Sequence, residues 1–142
     1  MSGRKGETMA RRSKKTGRWK IDVHEFYMAM HFAYQYNGWR KELEGLTDTS
    51  KAITYSDMPK GNINPDPTFD LVARREQLVR NVDLVEQCAR VADADLYEWI
   101  LLGVTNEGVT YENLKALRSI PCGHNVYYDR RRKFYYLLSK KI

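Results

Sequence analysis

Apolar positions recur every three or four residues along most of this chain and nowhere alternate with polar ones, so the pattern predicts helices and no strand. Over residues 22–46, Val23, Phe26, Tyr27, Met30, Tyr34 and Leu43 form one stripe, with Trp39 beside it and Asp22 as the N-cap. The aromatics Phe26, Tyr27, Phe32 and Tyr34 fit a core face better than a base-stacking surface. Asn37, Gly38 and Trp39 are expected to kink or interrupt the helix. Residues 47–67 hold Pro59, Gly61, Pro65 and Pro67 among small polar residues and predict a loop. A second long helix is expected over 68–91. Its apolar stripe is Leu71, Leu78, Val82, Val85 and Cys88, with Val79 and Leu84 at the edges.

The last third has a different texture. Leu96, Trp99, Ile100, Leu101, Leu102 and Val104 are too apolar for a surface element and predict a central short helix, ended by Gly103 or Gly108. Thr110 can cap a helix over 111–118, with Glu112 at the positive end of its dipole. Ser119, Ile120 and Pro121 break that helix, and Gly123 releases the chain into a last helix over 124–140. Residues 94–142 therefore read as a three-helix, helix-turn-helix unit. The expected fold is all-α: two longer helices followed by this unit, in one domain over 21–142, preceded by a disordered basic arm over 1–20. Met9 is a second candidate start of the natural chain.

Charge changes this picture more than composition does. The net charge is +6 over 142 residues, but it is unevenly spread. Residues 1–20 hold eight basic side chains against one acid, residues 124–142 hold six against one, and the middle holds ten against sixteen. Basic ends on an acidic middle suit a polyanionic partner, since each phosphate neutralised releases counterions. On a helical wheel Val126, Tyr127, Phe134, Leu137 and Leu138 share one arc of the last helix, expected to be its core face. His124, Asn125 and Tyr128 are then expected at base edges in the major groove. Arg131, Arg132 and Lys133 are expected at phosphates, with Tyr135 and Tyr136 on the same surface, and Arg130 is expected to pair internally. Arg11, Arg12, Lys14, Lys15 and Arg18 form the accessory basic arm.

Other classes find less support. Cys88 and Cys122, with His24, His31 and His124, show no metal-ligand spacing. No cofactor motif, catalytic triad or phosphate loop is present, so an enzyme is not expected. Cys122 at a turn before a helix is the one position where a lowered thiol pKa is conceivable. No apolar run spans a membrane, and the basic start lacks the apolar segment of a secretory signal.

Residues 66–142, and in particular ARREQLVRNVDLVEQ and TYENLKALRSIPCGHNVYYDRRRKFYYLLSK, resemble the prophage-encoded regulators of the RinA and ArpU type. Those proteins end in a helix-turn-helix similar to that of bacterial sigma factors. The resemblance implies a DNA-binding phage or prophage transcriptional regulator in the cytoplasm of a bacterial host. Its partners would be double-stranded DNA, with RNA polymerase or another host factor and a homodimer as further expectations. Two alternatives compete: a small terminase-like component of phage DNA packaging, and a protein-interaction module that contacts a host factor through the aromatic stripe.

Overall fold

The computed structural model describes residues 18–55 and 67–142, with side chains described at 18–46 and 69–142. The described residues form six helices and no strand: α1 Val23–Tyr34, α2 Tyr36–Tyr55, α3 Pro67–Ala92, α4 Tyr97–Thr105, α5 Tyr111–Arg118 and α6 His124–Ser139. Asp22 caps α1, its carboxylate accepting from the His24 N–H at 3.0 Å. Pro67 opens α3 at a position where its missing N–H costs nothing.

The first expected helix departs from its predicted course in two ways. It breaks at Gln35, two residues before the Asn-Gly-Trp stretch, where the Gln35 N–H turns back to the Phe32 carbonyl. Asn37, Gly38 and Trp39 lie inside α2 instead of interrupting it. The second half then runs on to Tyr55 and takes in the first part of the expected loop. Residues 47–55 are poor helix formers, but they contain neither proline nor glycine, so nothing stops the helix there. The rest of that loop, over 56–66, lies outside the described residues, as do residues 1–17 of the expected arm.

Helices α2 and α3 pair antiparallel. Tyr36 donates to Glu86 at one end, and Arg74 makes a two-pronged ion pair with Glu42 at the other. Leu78, Val82, Val85 and Cys88 are buried on α3, as its stripe predicts, and Ala89 and Ala92 extend that face. Phe26, Ala29, Met30 and Ala33 carry the buried face of α1, with Tyr27, Phe32 and Tyr34 packed half-buried around it. The aromatic stripe is core.

Helix α6 occupies the centre, with α1, α3, α4 and α5 packed around it. Phe26 of α1 meets Tyr135 of α6 edge-on, ring centroids 5.0 Å apart. On α4, Gly103 is what lets the two helices close: a methyl group there would overlap the Tyr127 hydroxyl. Among the described residues, no helix is long and apolar enough to cross a membrane.

Candidate nucleic-acid interface

The turn between α5 and α6 is built from local chemistry. Thr110 caps α5 in a reciprocal box with Asn113, as the sequence leads one to expect of a threonine there. Ser119 ends α5 in the left-handed region, at φ 52° and ψ 48°, a conformation glycine usually supplies. Ile120 then drops into the core. Two tyrosines fasten the motif. Tyr111 donates to the Cys122 carbonyl at 2.7 Å, and the Tyr128 hydroxyl accepts from the Tyr111 N–H at 3.2 Å. The indole N–H of Trp99 on α4 donates to the Arg118 carbonyl at 2.9 Å, which ties the end of α5 to α4.

The outward surface of α6 is narrower than its sequence predicts, and it is rotated. His124 and Asn125 are exposed, with His124 Nδ1 3.2 Å from Asn125 Oδ1. Val126, expected in the core, is 44% exposed. Gly123 supplies no side-chain cap, so the positive end of the α6 dipole is open to an anion. Arg132 and Lys133 are partly exposed further along. Lys115 and Arg118 of α5 are exposed as well, and they were not singled out because short basic patches on surface helices are commonplace.

Three residues expected on that surface are elsewhere. Arg131 is only 4% exposed and points into the core, so it cannot reach a phosphate. Its Nη1 donates to the Val109 carbonyl and the Tyr127 hydroxyl, both at 3.4 Å, and its Nη2 to the Tyr135 hydroxyl at 3.5 Å. The guanidinium lies about 6 Å from the ring centroids of Tyr127, Tyr128 and Tyr135. Burial opposes its charge, but the oxygens of Tyr135, Tyr127 and Tyr128 outweigh burial and hold the group ionised. Tyr135 is buried with it. Tyr128 is half-buried and committed to Tyr111, so it positions the turn and does not project from it.

Arg130 pairs internally as expected, with Asp93 at 3.1 Å and with Asp129. Cys122 does not carry a lowered pKa. Burial, with Asp93 nearby, moves its thiol up and away from the thiolate. Among the described residues, no group of histidine, cysteine and carboxylate side chains is placed to hold a metal ion.

The structure adds two residues from the opposite end of the chain. Arg18 and Trp19, expected to belong to a free arm, lie against α6. Trp19 packs on Tyr136 with centroids 5.7 Å apart, and the Lys133 ammonium stands 5.3 Å from the indole. Arg18 reaches Asp129 at 3.9 Å and stacks on Trp19 at 5.1 Å. Tyr136, expected on the binding surface, is half-buried against Trp19. The signal for this contact was a single tryptophan in an otherwise basic run. The side chains of Arg11, Arg12, Lys14 and Lys15 lie outside the described residues.

The chain matches no family model, no characterised protein and no solved structure.

Proposed function

We propose that this protein binds double-stranded DNA through the first turn of α6 and acts as a phage or prophage transcriptional regulator. One observation carries the DNA reading. Helix α6 is sunk in the core for most of its length, yet it leaves its first turn exposed beyond a turn held by two tyrosine hydrogen bonds. A helix held in this way presents its N-terminal residues rigidly, which is what base-edge readout needs. His124 and Asn125 supply the donors and acceptors, and asparagine can bond an adenine edge bidentately. Arg132, Lys115 and Arg118 supply charge for phosphates at the flanks. The regulatory role rests on the resemblance of residues 66–142 to the RinA and ArpU type.

Selection of duplexes from a random pool tests this reading. The wild-type chain is expected to enrich a defined site. Asn125→Ala is expected to relax preference at one base pair, at a cost of about 1–3 kcal/mol for that contact, with overall fold unchanged. A pool that shows no enrichment above input would contradict the assignment of base readout to this turn.

A further inference from the structure

We propose that the outward face of the first half of α3 is a self-association surface, on which a second copy of this chain docks antiparallel across a two-fold axis. The contact requires no DNA.

Helix α3 changes character along its length. From Leu78 onwards one side of it is sunk in the core, but none of residues 69–77 is buried. In that first half Arg74 faces α2, where it pairs with Glu42. A helix side turned away from its neighbour and met only by water is ordinarily polar. This one is not: Phe69 is 70% exposed, Val72 50% and Val79 39%. Phe69, Val72, Glu76, Val79 and Asp83 are spaced by three, four, three and four residues, which is the repeat of a seam between two helices. Bulky apolar groups gathered on one exposed face mark a protein contact.

The charges on this face select the occupant. Arg75 and Glu76 stand side by side, both exposed. A parallel, in-register pair of α3 helices would set Arg75 against Arg75 and Glu76 against Glu76. An antiparallel pair centred between these two residues instead brings each Arg75 within reach of Glu76 of the second copy. The same register sets Val72 level with Val79 of the second copy. Each contact is then made twice, as a two-fold axis demands of a surface that is its own complement. Val79 also lines the groove between α2 and α3 together with Leu43 and Val82, which gives Val72 of the second copy an apolar seat. Charge order, apolar spacing and groove therefore agree on one partner, another copy of this chain.

The test is sedimentation equilibrium of the full chain, without DNA, across a concentration series that reaches the high micromolar range. It compares the wild-type chain, Val72→Asp, Arg75→Glu, Glu76→Arg and an equal mixture of the last two. The wild-type mass is expected to rise from that of one chain towards that of two. Val72→Asp is expected to weaken association about ten-fold, through a carboxylate in the apolar seat. Each charge variant is expected to weaken it about ten-fold as well, because like charges then meet twice across the axis. The mixture is expected to recover association to within about three-fold of the wild-type chain, since the two variants face each other with opposite charges. The substituted side chains are exposed, and helical circular dichroism is expected to be unchanged in all the variants. A wild-type chain that stays monomeric throughout would overturn the proposal. So would variants that associate like the wild-type chain, or a mixture that associates no better than its components.

Discussion

Arg131 is buried in the packed face of α6, its guanidinium among the rings of Tyr127, Tyr128 and Tyr135. A helical wheel that counts arginine as polar and valine as apolar extends the buried arc to Val126 and leaves Arg131 outside it. The packed face is instead Tyr127, Arg131, Phe134 and Leu138, because an arginine caged by tyrosine rings and hydroxyls can be core. Arg131→Ala is therefore expected to act on stability, costing about 2–4 kcal/mol for the lost packing and the unpaired tyrosine hydroxyls. Arg132→Ala is expected to leave the thermal transition in place and to weaken duplex binding. Equal thermal transitions for the two variants would contradict the cage.

Titration gives a second test at this scale. Burial pushes Cys88 up to about 11, from an ordinary 9.0. Burial also pushes Tyr127 up to about 12, against the pull of Arg131, from an ordinary 10.0. Tyr36 rises to about 12 through burial and its bond to Glu86. The folded state holds these protons more tightly than the unfolded chain does. Their contribution is complete below the ordinary values and is lost as pH rises towards the folded ones. Urea midpoints are expected to be flat through neutral pH and to fall above about pH 9–10, and Tyr127→Phe should make the fall shallower. A midpoint unchanged through that range would contradict the burial of these groups.

Between elements, α4 approaches α6 closely at Gly103. Gly103→Ala is expected to cost about 1–3 kcal/mol, since its methyl would overlap the Tyr127 hydroxyl. Adding Tyr127→Phe should recover part of that loss, which a double-mutant cycle on thermal unfolding reads directly. Losses that simply add would show that the helices close by another route. Most element boundaries were legible, because caps and breakers act locally: Asp22, Thr110 and the Ser119–Pro121 break all fall where the chemistry of those residues puts them. The exceptions have a shared cause. Residues 47–55 were grouped with Pro59 and Gly61, although low helix propensity alone does not end a helix. The glycine at 38 was read as a breaker where the helix tolerates one.

For the whole molecule, charge distribution and the all-α class were readable from the chain, because each depends only on which residues are present and on their period. The meeting of Arg18 and Trp19 with α6 was not readable, because it joins positions more than a hundred apart and no local rule encodes it. On the proposed function, the exposed first turn of α6 and its basic flanks form one surface for duplex DNA. The most direct test is the affinity for a random duplex as a function of salt, measured for the wild-type chain and for a chain carrying His124→Ala, Asn125→Ala and Arg132→Ala. A log-linear loss of affinity with rising salt is predicted. The slope should shrink by about 0.9 for each phosphate contact removed, and binding by the triple variant should be weaker at every salt concentration. Binding that is negligible at low salt, or identical in the two chains, would contradict the claim that this surface meets DNA.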